Sequence, residues 1–280
     1  MAPENSDTGK SAVKEEWTQI SGIAVGLDEE RLPSSEVLAG QQFALSAAGV
    51  PSLSLDFSDA KSLCWRHSGD STDETYDAVE VAPALFIVGI CHRRDPRLST
   101  TLALDLETRR ATRVLGRLPS VAEADTSLLS RVHANEGLSP VGVEFDHWEI
   151  ELPGHSKPAS SSAHTRTRDL LGKRLVYTYG DGGVYEHIYL NESRFTWHCL
   201  KGPEAGLADT EHCNFYRIRP DVYLFSWREK IIPTLGVVLV NTKEMRSSGF
   251  ITGIDTRSGE VSHFPVGAQG SLVNATEPPR

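Results

Sequence analysis

Short, largely apolar, strand-like segments broken by polar turns run through most of this chain. "SLSLDF", "ALFIVGI", "TLALDL", "VYEHIYL", "DVYLFSW" and "LGVVLVN" are rich in β-branched and aromatic residues and are separated by Gly, Pro, Asp and Asn. A period of two puts every second side chain on one face of a strand. Short strands at this spacing predict an antiparallel barrel or sandwich. One segment reads differently: "SVAEADTSLLSRVH" (120–133) opens on a serine and carries acids in its first turn, which predicts a helix. "GHSKPASSSAHTRT" (154–167) is polar and serine-rich and reads as a linker.

The strand pattern occurs twice. Shifted by 132 residues, Gly40 falls on Gly172, Phe57 on Tyr189, Leu63 on Phe195 and Trp65 on Trp197. Past the next loop the shift becomes 137, and Pro83 falls on Pro220, Pro96 on Pro233, Leu102 on Leu239 and Gly116 on Gly253. The change of register, 137 − 132 = 5 residues, predicts a longer loop in the second copy near "GPEAGLAD". Each copy has roughly 80 to 110 residues, enough to close a small barrel. The expected organisation is a disordered tail (1–16), an N-terminal barrel that is the structural copy (17–119), a helix and linker (120–166), and a C-terminal barrel that carries the active site (167–280).

Divergence between the copies separates scaffold from chemistry. In the second copy Tyr177 and Tyr179 share one strand face, and Tyr185, His187 and Tyr189 share the next. Their counterparts are Leu45, Ala47, Leu53, Leu55 and Phe57, an ordinary apolar interior, so the tyrosine face is expected to point inward. On "VYLFSWRE", Tyr223, Phe225, Trp227 and Glu229 share a face whose counterparts are Phe86, Val88, Ile90 and His92. Both copies thus place a titratable group at the same strand end. Phenols donate a hydrogen bond without carrying charge at neutral pH, so a tyrosine pair can hold a carboxylate or enolate oxygen. A carboxyl beside aromatic walls is raised in pKa by desolvation and can move a proton near neutrality. The candidate catalytic residues are therefore Glu229, Tyr177 and Tyr179. The candidate substrate-binding residues are Tyr185, His187, Tyr223, Phe225, Trp227 and Trp197. The bland alternative is a core of tyrosines with satisfied hydroxyls and a glutamate at a wet barrel rim.

Composition narrows the partners. The chain has 280 residues and a net charge of −10, which argues against nucleic acid and anionic membrane surfaces. No apolar run is long enough to span a bilayer, and the polar N-terminus lacks a signal-peptide core. Cys64, Cys91, Cys199 and Cys213 are scattered, which reads as reduced thiols and a cytoplasmic location. No metal-ligand spacing or redox-cofactor motif is present, so no cofactor is expected. The expected partner is a small-molecule substrate; a homodimer is compatible with the composition.

"LVYTYGDGGVYEHIYL" followed by "FSWRE" resembles the phenolic acid decarboxylases, single calycin-like barrels with a Tyr-Thr-Tyr strand and a Ser-Trp-x-Glu strand. The tandem arrangement resembles the MoaF family. The likeness covers about 167–255 directly and 38–116 through the repeat. It implies an all-β fold of two tandem antiparallel calycin- or lipocalin-like barrels. By that resemblance Tyr177 and Tyr179 match the tyrosines that hold a substrate carboxylate, Tyr185 a further pocket tyrosine, and Glu229 the catalytic glutamate. One residue of the decarboxylase pattern is missing: Gly206-Leu207-Ala208 stands where the decarboxylases carry an essential arginine, with Arg217 or Arg219 as substitutes in space. The expected activity is cofactor-independent proton transfer on a small apolar molecule bearing a phenol, enol or carboxylate. That makes the protein a lyase, isomerase or cyclase of specialised metabolism. The alternative is a carrier or sensor that uses the same cavity without Glu229.

Overall fold

Alternating segments close into two barrels in the computed structural model, which describes residues 17–151, 163–181 and 183–277. The expected tail (1–16) and most of the serine-rich segment (152–162) lie outside the described residues. After a short helix α1 (Ile20–Ile23), the first barrel is built from β1 (Gln42–Ala47), β2 (Val50–Phe57), β3 (Ser62–His67), β4 (Asp70–Ala82), β5 (Leu85–Cys91), β6 (Leu98–Asp105), β7 (Arg110–Arg117) and β8 (Gly142–Glu151). Each strand pairs with the next, and β8 returns to β1. Between β7 and β8 lie α2 (Val121–Ala124) and α3 (Leu128–His133). The second barrel follows: β9 (Thr165–Arg166), β10 (Lys173–Thr178), β11 (Val184–Asn191), β12 (Arg194–Lys201), β13 (Ala208–Arg219), β14 (Val222–Arg228), β15 (Thr234–Asn241), β16 (Arg246–Ile254) and β17 (Val261–Ala275). Here β17 pairs with β10 and β12 with β13, which closes the ring, while the short β9 adds beside β13.

The described structure differs from the expected boundaries in three places. Residues 142–151 are not linker; they form β8, and without it β1 and β7 would expose two unpaired edges. The expected helix over 120–133 is two short ones. Ser120 and Glu123 make a reciprocal capping box on α2, the helix stops at Asp125, and the Ser127 hydroxyl caps α3 by accepting from the Ser130 amide. Finally, residues 17–31 belong physically to the second barrel. Ile20, Ile23 and Leu27 are buried in its core, not in that of the first.

The repeat is visible in the backbone. Gly40 and Gly172 both take positive φ (76° and 75°), and their amides donate to the carbonyls of Phe57 and Tyr189. Ala84 and Asp221 share the positive φ at the β4–β5 and β13–β14 turns. One part of the expected register is corrected. Asp105 faces Arg110 and Asn241 faces Arg246, so from β6 onward the shift is 241 − 105 = 136. Leu102 therefore corresponds to Val238, not Leu239, and Gly116 to Thr252, not Gly253. Burial agrees: Leu102 and Val238 lie in barrel interiors, whereas Leu239 lies between the barrels. A one-residue slip flips every side chain to the other face.

Three apolar layers result. Each barrel has its own interior, and a third cluster joins the outer faces of β4–β7 to those of β13–β16. Strands covered on both faces need apolar residues at consecutive positions, which is why "ALFIVGI" and "LGVVLVN" lose their alternation. Gly89 sits where a β-carbon would lie 2.7 Å from the Phe250 ring, so the barrels approach through a missing side chain. Arg219 crosses the junction to fully buried Asp105, donating through Nε at 2.8 Å and Nη2 at 2.6 Å.

Candidate functional site

The strand period delivers the tyrosine face to the interior of the second barrel. Tyr177 pairs with Tyr185 and Leu175 with His187 across β10 and β11, and Tyr177, Tyr179, Tyr185, His187 and Tyr189 are all buried. They do not act as one group. The Tyr177 and Tyr189 hydroxyls bond to each other at 2.9 Å, deep in the core. Neither lines the cavity, so Tyr177 is not available beside Tyr179 as a free pair of donors. Tyr223 is likewise outside the cavity wall, engaged with Asp169, and Phe225 stacks behind it on Trp227 with ring centroids 5.3 Å apart.

Above this layer is a cavity of about 40 Å³. Tyr179, Tyr185, His187, Trp197, Trp227 and Glu229 line it, six residues the alternation brings together. The sequence reading missed Glu204 and Thr234, which also line it, and the apolar side chains of Ile20, Ile23 and Leu27 that roof it. Segment 17–31 is pinned across the barrel mouth by polar contacts. Thr18 donates to the Pro203 carbonyl (3.2 Å), the Gln19 side chain accepts from the Thr256 amide (3.1 Å), and the Leu27 carbonyl accepts from the Gly267 amide (3.0 Å). Glu29 accepts from the Asp181 amide at 2.9 Å, on the β10–β11 turn where Gly180 takes φ 71°. A β-carbon on Gly180 would sit 2.0 Å from that Glu29 carboxyl.

Two carboxyl groups face the cavity. Glu229 follows β14 immediately and lies two residues from Trp227, so both side chains point the same way. The Trp227 indole Nε1 donates to Glu229 Oε1 at 2.9 Å. Burial pushes the Glu229 carboxyl well above the ordinary range, and the negative charges of Glu204 and Glu211 push the same way. Glu204 comes from the loop that is longer in the second copy, and its Oε2 accepts from the Tyr185 hydroxyl at 3.1 Å. Burial raises this carboxyl too, against the hydrogen bond from Tyr185. Among the described residues neither lysine nor arginine lines the cavity. Arg217 pairs with Asp169 and Arg219 with Asp105, so neither replaces the missing arginine of the decarboxylase pattern. Lys230 is held by Asp209 and Glu211.

Three polar atoms on the cavity wall are buried without a hydrogen-bond partner: His187 Nδ1, Trp197 Nε1 and Thr234 Oγ1. The His187 ring sits among Tyr177, Phe195, Phe225 and Trp227. Burial drives its pKa down to about 3, so it is neutral. Buried polar atoms are normally paired, and these three leave hydrogen-bonding capacity open on the cavity wall.

The first barrel shows the contrast. Its Glu74 is the counterpart of Glu211, and both take a backbone amide from the following turn: Arg93 to Glu74 at 2.9 Å, Lys230 to Glu211 at 3.3 Å. That carboxylate is scaffold, present in both copies. His92, the counterpart of Glu229, bonds Thr100 at 2.9 Å and Glu74 at 3.4 Å. Arg113 pairs with Asp146 and lies over the rings of Trp65 and Trp148, with 5.9 and 5.2 Å to the centroids. The polar groups at that end satisfy one another. Glu204 could have been found from the sequence, because it lies in the insertion that distinguishes the copies.

Among the described residues no group of three or more His, Cys, Asp and Glu is arranged to hold a metal ion, and no helix is long and apolar enough to cross a membrane.

Comparison with known proteins also divides the chain in two. Residues 15–120 match the MoaF N-terminal domain and residues 164–276 the MoaF C-terminal domain. Protein MoaF of Klebsiella aerogenes is 33% identical over 263 residues, covering 93% of this chain and 96% of its own length. A solved chain from Burkholderia vietnamiensis, described as a candidate beta-lactamase, superposes with a TM-score of 0.32 at 17% identity, covering 39% of this chain and all of its own. With both domain models matched in order and a relative aligned almost end to end, the chain belongs to the MoaF family.

Proposed function

We propose that the second barrel is the site of a cofactor-independent enzyme that relocates protons on a small, largely apolar molecule. The observation that carries this reading is Glu229: a carboxyl whose proton affinity burial raises, fixed by Trp227, and facing a cavity that Glu204 shares. A raised carboxyl donates its proton to a bound molecule near neutral pH, and a second carboxyl in the same space accepts one. Dehydration, double-bond isomerisation and cyclisation need no more than this pair and an aromatic wall that imposes shape. Decarboxylation is less well supported, because no cation lines the cavity to hold a substrate carboxylate. The four cysteines are all free, which fits a cytoplasmic setting.

The apolar roof favours one other reading, a carrier that holds its ligand under Ile20, Ile23 and Leu27. The two readings part on Glu229→Gln. The protein is incubated with a metabolite extract from its own source and the masses are followed over time. Loss of one compound and growth of another, absent in the Glu229→Gln protein, supports the enzyme. A compound held unchanged and equally by both proteins replaces it with the carrier.

A further inference from the structure

The charge and hydrogen-bond inventory of the cavity says what class of molecule fits it. The wall carries two carboxyl groups and no cation. One oxygen of each carboxyl is already used, Glu204 Oε2 by Tyr185 and Glu229 Oε1 by Trp227, which leaves the second oxygen of each for a ligand. His187 Nδ1 and Thr234 Oγ1 are unpartnered, and both are able to accept. The remaining wall is apolar, part aliphatic and part aromatic, with the indoles of Trp197 and Trp227 present. Trp197 is only 4% exposed and His187 7%, yet each keeps an unpaired ring nitrogen, so the wall is incomplete as it stands.

We infer that the ligand of this cavity is an organic amine, bound as its ammonium ion between Glu204 and Glu229, with its carbon skeleton against Trp197 and Trp227. This rests on the proposed reading of the cavity as the working site. An ammonium group has three N–H donors and no acceptor. As the amine enters it takes up the Glu229 proton, and the two free carboxyl oxygens with the neutral His187 Nδ1 then supply three acceptors. Indole faces add attraction for a cation, stronger where water is excluded. An anion meets the opposite: carboxyl groups and no counter-ion on the wall. A neutral alcohol satisfies some acceptors but leaves the carboxyl pair uncompensated. The free space of about 40 Å³ admits an ammonium head and little else. The apolar body of the ligand therefore takes the place of Ile20, Ile23 or Leu27, side chains of matching chemistry.

The test is isothermal titration of the full chain with a matched series, benzylamine, benzyl alcohol and benzoate, at roughly millimolar concentration. The expected result is that benzylamine binds roughly ten-fold or more tightly than the alcohol, with benzoate weakest. In Glu204→Gln and Glu229→Gln, benzylamine affinity falls about ten-fold or more. The inference is overturned if benzoate or the alcohol binds as well as the amine. It is also overturned if the amine does not bind, or if folded Gln variants keep its affinity unchanged. The wild-type ranking decides the matter even if a variant does not fold. The enzyme reading fails separately: amine binding without chemistry in any extract sinks that reading and leaves this one, and Glu229-dependent turnover of a non-amine does the reverse.

Discussion

Trp227 and Glu229 are two residues apart on one strand face, and the indole nitrogen of the first holds the carboxyl of the second at 2.9 Å. In the first barrel the same two positions are Ile90 and His92, and the histidine is held instead by Thr100 and Glu74. The aromatic residue in the second copy therefore does two things. It walls the cavity, and it fixes the group expected to move a proton.

Replacing Glu229 with glutamine is expected to separate activity from stability. Turnover falls by roughly two or more orders of magnitude if the carboxyl transfers the proton. The folded protein binds the Glu229 proton more tightly than the unfolded chain, because its pKa is raised from 4.5. That contribution is complete below the unfolded pKa and is lost as pH rises through the folded one. The variant should thus melt higher than wild type at alkaline pH, with the gap closing toward about pH 4. Thermal melts of both proteins across pH check this; a gap that widens on acidification rules the buried-acid picture out.

The two buried tyrosine contacts should behave differently. Tyr177→Phe removes one partner of the core pair with Tyr189 and is expected to cost about 1 kcal/mol while leaving activity near wild type. Tyr185→Phe frees Glu204 and should lower turnover roughly ten-fold with a similar stability loss. Kinetics and denaturation of both variants are the measurement. Equal activity losses would put the deep pair back in the chemistry.

The roof should be separable from the barrel. Ile23→Ala is expected to destabilise the protein by about 2 kcal/mol and to open the cavity to larger apolar molecules. Hydrogen exchange would then rise in residues 17–31 and stay low in β10–β17. Uniform loss of protection would show that the segment is part of the barrel's own cooperative unit.

At the junction, Arg219→Met leaves the Asp105 carboxylate buried without its main partner. A cost of about 3 kcal/mol or more is expected, recovered in large part by adding Asp105→Leu. Chemical denaturation of the single and double variants measures it; a neutral single variant would mean that the ion pair contributes nothing to holding the barrels.

The tyrosine and tryptophan faces were legible because a period of two leaves no freedom about which residues share a side. The tandem repeat was legible because Gly40 and Gly172 perform one backbone task twice. β8 was not, because "GVEFDHWEIE" places charges among its apolar residues and reads as polar until both neighbouring edges are known. The one-residue slip at β6 was hidden by strands that are apolar on both faces, where no alternation fixes the register. Segment 17–31 escaped because its partner is distant in sequence, and no local pattern reports which barrel it covers. Glu204 sat in a loop read only for its length.

The roof of the second barrel also sets an order of events during synthesis. Ile20, Ile23 and Leu27 leave the ribosome well before the strands they cover, β10 to β17. At ordinary elongation rates of about 5–20 residues per second, these side chains wait on the order of ten seconds or more for their seat. The first barrel, made in between, is able to close during that interval. The second barrel is then closed over by a segment made before either barrel existed.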